Sequence, residues 1–262
     1  MTAASILAVL LGLSAALVSG LVGSFALMKR MTLAGDVISH LALPGLGLAF
    51  LWHFPPLAGA AATLFIGIVL IDQLQRRGGL VPESAIGVVF VAALAVGTLV
   101  TPTEDLIDAL FGGFGAITTT GFVLGILGCA VVAITIFVLR HKLILGIFSP
   151  DLARSLRIKL DRANFLYLCA FGLTVLLGLQ FLGALLVGAM IIVPPAVARR
   201  LAGTLDRFLI LSSLISMAAV GLGFAISARW HLPLGPTIVA VASVLFVMSL
   251  IKQTPGLKGH VA

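Results

Sequence analysis

Long apolar runs separated by short basic clusters dominate this sequence, and they constrain its fold more than any other feature. Hydrophobic residues make up 61% of the 262 residues and charged residues only 10%, whereas about 25% of the residues of a soluble domain are charged. This composition excludes a water-soluble enzyme. It predicts an all-α integral membrane protein, a polytopic helical bundle that forms a single transmembrane domain over residues 1–262.

Nine of these runs are candidates for membrane-spanning helices, because a helix needs about 20 apolar residues to cross the hydrocarbon core. The third and seventh runs are short, so eight spans is the alternative count. The runs cover approximately residues 4–28, 32–52, 56–72, 84–101, 119–139, 163–180, 183–198, 207–228 and 235–251.

The basic residues predict the orientation of these spans. If the N-terminus lies outside, every Lys and Arg except Arg229 falls on the cytoplasmic side, as the positive-inside rule requires for nine spans. Trp52 and Trp230 then lie at outer helix ends, where indole rings favour the membrane interface. We therefore expect the N-terminus outside and the C-terminus inside. The net charge of +7 is thus explained by orientation, and no nucleic acid partner is expected.

One acidic residue, Asp36, falls deep inside a predicted span, with His40 four residues later. At 1.5 Å per residue they lie about 10 Å and about 15 Å beyond Arg30, and the spacing places both on one helix face. A buried carboxylate there costs at least about 2.5 kcal/mol and needs a partner. The pair could bind a divalent cation, or it could be a structural hydrogen bond that staples two helices.

Glycines and prolines interrupt two of the predicted spans. Gly35, Pro44 and Gly45 flank the polar pair and predict a broken or kinked helix beside it, which suits either a substrate path or helix packing. Pro194 and Pro195 predict a break near the cytoplasmic end of the seventh span, as a hinge for gating or as a simple stop.

Three further polar residues are weaker candidates. His53 and His231 each follow a tryptophan at an outer end, where they could line an entrance for cations or be ordinary loop histidines. Glu83 begins a span, and its carboxylate either stabilises the helix dipole or takes part in gating.

An amphipathic segment at about residues 149–160 is too polar to span a membrane. Ser149 can cap a helix, Pro150 suits its first position, and Asp151 favours its positive end. Leucines at positions 152, 156 and 160 share one face. The segment predicts a short cytoplasmic helix that either connects two spans or docks onto another protein. Because the chain has no P-loop motif, any energy that it uses must come from a partner or a gradient.

Several motifs together resemble those of one family of transporters. G-D-V-I-S-H-L-A-L-P-G (35–45) closely resembles the hallmark of the permease subunits of ABC importers for zinc, manganese and iron. The segments E-S-A-I-G-V-V-F, S-P-D-L-A-R-S-L, G-A-L-L-V-G-A-M-I-I-V-P-P-A-V-A-R-R and G-P-T-I-V are similar to further motifs of this family, in the same order. The chain departs from the pattern at Leu41, where a small residue is usual, and at Arg157, where glycine is usual.

The resemblance implies a permease of the bacterial inner membrane with no permanently bound cofactor, whose substrate is manganese, zinc or iron. It implies a homodimer that binds a cytoplasmic ATP-binding subunit and receives metal from an external binding protein. Asp36 and His40 match the metal pathway, and the coupling helix that docks onto the ATPase matches Pro150, Asp151, Leu152, Ala153 and Leu156. A gradient-driven cation transporter and a membrane scaffold are the competing functions.

Overall fold

The computed structural model describes residues 3–31, 34–101, 118–182 and 184–251, which form helices joined by turns. In chain order the helices are α1 (Ala3–Met28), α2 (Ala34–His40), α3 (Leu43–Trp52), α4 (Pro56–Arg76), α5 (Pro82–Val100), α6 (Thr119–Phe148), α7 (Pro150–Ser155), α8 (Leu160–Leu182), α9 (Ala184–Leu201), α10 (Leu205–Trp230) and α11 (Leu234–Ile251).

Each of the nine predicted spans corresponds to helical structure, the second one to α2 and α3 together. Over the described residues, eight segments are long and apolar enough to cross a membrane, which is the lower of the two predicted counts. α9 is outside that set and corresponds to the short seventh run, ending with Arg199 and Arg200 in its last turn. The prediction of an all-α polytopic membrane protein is confirmed.

Close helix contacts and aromatic packing form the core of the bundle. Tyr167 of α8 packs edge to face against Phe25 of α1 and Phe171, with ring centroids 6.5 and 6.0 Å apart. α1 also packs closely on α10, where the hydroxyl of Ser212 donates to the carbonyl of Gly20 at 2.8 Å. Small residues and interhelical hydrogen bonds of this kind hold membrane helices together.

The outer faces of the bundle are apolar. Leu99 of α5 is 86% exposed, and α6 and α11 carry further exposed aliphatic and aromatic side chains. An apolar surface of this extent marks contact with lipid or with another protein. It agrees with a chain that crosses the membrane several times.

α9 continues through Pro194 and Pro195, so the predicted break there is wrong. Pro195 lacks the N–H that would bond to the carbonyl of Ile191, four residues earlier. This carbonyl lies against Gly23 of α1, where a Cβ would collide with it. The helix therefore remains continuous because its neighbour has no side chain at the point where the proline leaves the carbonyl unbonded.

The break beside the polar pair lies at Leu41 and Ala42 rather than at the predicted Pro44 and Gly45. The N–H of Leu41 donates to the carbonyl of Ile38 at 3.1 Å, and this i to i−3 bond tightens the end of α2. Pro44 lies in the first turn of α3, where a missing N–H has no cost. Gly45 serves packing, since a Cβ there would collide with the carbonyl of Gly59 in α4.

Candidate functional site

Asp36 and His40 lie together on α2, a helix of only seven residues. The distance from Asp36 Oδ1 to His40 Nε2 is 3.9 Å, which is longer than a hydrogen bond. The Asp36 side chain is 50% exposed and that of His40 12% exposed. Because both groups belong to one helix, the pair does not staple two helices together.

The imidazole of His40 is held by packing on one side. Its ring lies 5.7 Å from the ring of Phe90 in α5, centroid to centroid. Nδ1 is buried without a hydrogen-bond partner, and Nε2 is the ring nitrogen nearest the carboxylate. A neutral imidazole has one lone pair to give, so with its proton on Nδ1 the ring presents Nε2 beside Asp36 as a ligand.

The position of Asp36 depends on close contact between α2 and α9. A Cβ at Gly188 of α9 would lie only 2.6 Å from the Cα of Asp36, and one at Gly35 would lie 3.4 Å from the carbonyl of Gly188. The two backbones therefore touch at Asp36. The sequence reasoning missed Gly188, although the spacing of Ala184 and Gly188 is the small-xxx-small pattern of close membrane-helix contacts.

The pair is an incomplete ligand set for a metal ion. Among the described residues, no three or more His, Cys, Asp or Glu side chains are grouped closely enough to hold a metal. Zinc sites use about four ligands and other divalent cations more. Backbone carbonyls, water or a second copy of the chain would have to complete the coordination.

The weaker candidates lie at helix ends, apart from the pair. His53 and His231 are exposed residues in the left-handed conformation, with φ of 55° and 53°. Their N–H groups donate to the carbonyls of Ala49 and Ser227 and so end α3 and α10. Glu83 is exposed in the first turn of α5, a position that complements the helix dipole.

The amphipathic segment forms α7, which is shorter than the predicted 149–160. It ends at Ser155 because Arg157 takes a left-handed φ of 55°, and the N–H of Ile158 donates back to the carbonyl of Ala153 at 3.0 Å. Ala153 is fully buried, whereas Leu152 and Leu156 are 51% and 60% exposed. α7 thus buries Ala153 and leaves Leu152 exposed, and Leu156, one residue after the end of α7, is exposed as well.

A bundle of membrane-spanning helices that holds a carboxylate beside an imidazole within one span is typical of a membrane transport protein. The chain belongs to the ABC 3 transport family, which it matches over residues 1–253. Members of this family are membrane subunits of importers, and ATP is hydrolysed by a separate subunit. The chain is therefore a permease and not itself an enzyme.

Named relatives support this membership over nearly the whole chain. It is 30% identical over 252 residues to the high-affinity zinc uptake system membrane protein ZnuB of Haemophilus influenzae, covering 94% of this chain and 96% of the relative. The manganese import system permease protein ScaB of Streptococcus parasanguinis is 29% identical over 246 residues, covering 92% and 88%.

A solved structure has the same fold. The structure of PsaBC from Streptococcus pneumoniae in complex with Fab matches with a TM-score of 0.82 and 26% identity, over 95% of this chain and 92% of the other. The family resemblance drawn from the motifs is confirmed.

Proposed function

We propose that this chain is the permease subunit of an ATP-driven importer in the bacterial inner membrane, which translocates manganese, zinc or iron as a divalent cation. The observation that carries the proposal is the Asp36 and His40 pair: two metal-ligand types on one face of a short helix inside a span, with the carboxylate half exposed. A carboxylate in that environment needs a partner, and a cation supplies it.

The geometry of the pair suits one bound ion. A cation about 2.1 Å from each ligand atom can bridge Asp36 Oδ1 and His40 Nε2, which are 3.9 Å apart. Water and a second copy of the chain, in a homodimer, are the other sources of ligands.

Metal uptake by cells tests the site. In Asp36→Asn and His40→Gln, accumulation of radioactive manganese and zinc should fall at least about tenfold, because losing groups that only orient a ligand already costs about 10-fold to 100-fold. Asp206→Asn and His141→Gln are matched controls, since both residues are exposed. The amount of each variant in the membrane must equal that of the unmodified chain. Full uptake by either site variant would refute the assignment.

The energy source is tested in the same cells. Deleting the partner ATPase subunit should abolish uptake, and a protonophore that leaves cellular ATP intact should not. The opposite result would favour a gradient-driven transporter in which Asp36 relays protons.

We propose further that α7 couples the permease to its ATPase. The exposed leucines at positions 152 and 156 offer an apolar contact that the chain itself does not bury. Leu152→Glu and Leu156→Glu should abolish copurification of the ATPase and uptake together. Leu201→Glu, an exposed leucine at the end of α9, is the control and should retain both. Copurification that survives both the Leu152→Glu and the Leu156→Glu substitution would exclude this role.

A further inference from the structure

A cavity of about 650 Å³ opens at the end of the bundle where α1, α6 and α9 end and α8 begins. Four basic side chains line it: Lys29, Arg30, Lys142 and Arg199. The described residues that form its wall include no Asp or Glu. The cavity is therefore strongly positive and does not suit a divalent cation. In this it differs from the site at Asp36, which offers a carboxylate.

Lys29 is the most enclosed of these cations. Its Nζ donates to Oδ1 of Asn164 and lies 4.8 Å from the centroid of the Tyr167 ring, and no carboxylate described in the structure lies within ion-pair distance of it. Burial lowers the pKa of Lys29 from its ordinary value of 10.5 to about 8. The chain thus holds a buried cation whose missing counter-charge would lie in the cavity.

Much of the remaining wall is apolar, beside the polar side chains of Gln75 and Asn164. Leu27 and Met28 of α1, Ile147 and Phe148 of α6, and Leu168 of α8 line it, and the Phe148 side chain is 69% exposed. The cavity lies at the ends of membrane-spanning helices, the depth at which lipid headgroups lie. An anionic group with an attached apolar chain satisfies both the basic and the apolar walls.

We propose that this cavity binds the phosphate group of an anionic phospholipid, with Lys29, Arg30, Lys142 and Arg199 around the phosphate and the acyl chains along the apolar wall. Lys and Arg form strong charge-assisted bonds to phosphate oxygens. Basic cavities between helices at the cytoplasmic membrane surface bind such headgroups. The site is independent of the metal pathway and does not rest on the proposed transport function.

Arg30 provides a variant that removes charge without disturbing the backbone. It follows the last turn of α1 with a left-handed φ of 60°, and the next N–H, of Met31, donates to the carbonyl of Ala26 at 2.9 Å. Glycine is the residue that favours this position. Arg30→Gly therefore deletes the guanidinium while relieving backbone strain, so a loss of binding in this variant does not result from misfolding.

The test counts bound lipid on the full-length chain. The purified chain, alone and in complex with its ATPase subunit, is equilibrated with mixed micelles of phosphatidylglycerol or phosphatidylcholine and analysed by native mass spectrometry. We expect phosphatidylglycerol to be retained and phosphatidylcholine to be lost. Lys29→Gln and Arg30→Gly should each weaken retention about fivefold, the contribution of one basic residue beside an anionic lipid surface. Arg207→Gln, an exposed arginine outside the cavity, should retain lipid fully.

Four outcomes would overturn the proposal. Equal retention of phosphatidylglycerol by the unmodified chain and both cavity variants would exclude the site, and so would an equal loss in Arg207→Gln. Loss of lipid on binding the ATPase would mean that acidic side chains of that subunit fill the cavity instead. A competition arm with inorganic phosphate separates the two sources of phosphate: displacement of the lipid by millimolar phosphate would assign the site to a soluble phosphate.

Discussion

Among the residues that the structure describes, four that are not glycine adopt the left-handed backbone conformation, and all four are arginine or histidine. Arg30, His53, Arg157 and His231 have φ between 53° and 60°, and they follow the last turns of α1, α3, α7 and α10. Glycine is usual at such positions, but a positive side chain interacts favourably with the negative end of the helix dipole. The sequence does not reveal this role, because two of these residues are equally well explained by the positive-inside rule.

Substitutions of Arg157 allow the free-energy cost of the left-handed backbone conformation to be measured. We expect Arg157→Gly to be more stable than Arg157→Ala by about 1 kcal/mol, since an L residue in the left-handed conformation costs about 1–2 kcal/mol. Both substitutions remove the same charge, so their difference isolates the backbone. Thermal unfolding of the two variants in one detergent measures it. Equal stability of the two variants would contradict the assigned conformation.

Lys29 makes stability depend on pH in a defined window. Its pKa falls from 10.5 to about 8 on folding, so between these values the unfolded chain binds a proton that the folded chain does not. Stability therefore rises as pH increases from about 8 to 10.5, and the full penalty is present below pH 8. The penalty is about 3 kcal/mol, at 1.36 kcal/mol per pKa unit.

The measurement is thermal unfolding of the delipidated chain at several pH values. The unmodified chain should gain stability between pH 8 and 10 relative to Lys29→Met, which has no charge to desolvate. Arg207→Met, at an exposed position, should follow the unmodified chain. Parallel curves for the unmodified chain and Lys29→Met would show that the amine is solvated.

At the scale of the helices, the spans were predictable and their interruptions only in part. A break beside Asp36 and His40 was predicted but lies at Leu41 and Ala42, and the break predicted at Pro194 and Pro195 is absent. Apolar runs set most helix bounds to within about four residues, because burial in lipid requires length and hydrophobicity. The exception is α6, which continues to Phe148, nine residues past the predicted end at 139. The effect of a proline depends on what packs beside it. Pro44 begins a helix, whereas Pro195 lies inside one because Gly23 of α1 leaves room for the carbonyl of Ile191. No local pattern contains that information, since the glycine lies on another helix.

Because α2 and α9 are in close contact, we predict that adding a single methyl group between them impairs transport. In Gly188→Ala the added Cβ would lie 2.6 Å from the Cα of Asp36, and no side-chain rotation relieves a clash with backbone. The helices must separate, at a cost of about 1–3 kcal/mol, and Asp36 moves relative to the rest of the bundle. We expect metal uptake to fall strongly while the chain still reaches the membrane.

Gly87→Ala is the matched control. A Cβ at Gly87 of α5 has no neighbour within 4 Å, so uptake by this variant should be normal. Uptake is compared at equal membrane abundance, measured by immunoblot. Normal transport by Gly188→Ala would mean that the spacing of α2 and α9 does not control the site.

At the scale of the whole molecule, the residues that line the basic cavity show which helices begin and which end at that side of the bundle. The first residue of α8, Leu160, and the last turn of α9, at Arg199, both line the cavity. α8 therefore leaves the basic end of the bundle and α9 returns to it, although α9 is outside the set of eight long apolar segments. Charge along the sequence predicted this return, because Arg199 and Arg200 require it under the positive-inside rule.

Cysteine labelling tests the count of crossings and the orientation together. In a chain with Cys129→Ala and Cys169→Ala, single cysteines are placed by Arg77→Cys, Arg207→Cys and His231→Cys, all at exposed positions. With nine crossings and the N-terminus outside, a membrane-impermeant maleimide should label His231→Cys in intact cells and the other two only after permeabilisation. If α9 does not cross, Arg207→Cys and His231→Cys exchange their behaviour while Arg77→Cys is unchanged. Labelling of Arg77→Cys in intact cells would instead show that the whole bundle has the opposite orientation. The basic cavity and α7 would then lie outside, where no ATPase could reach them.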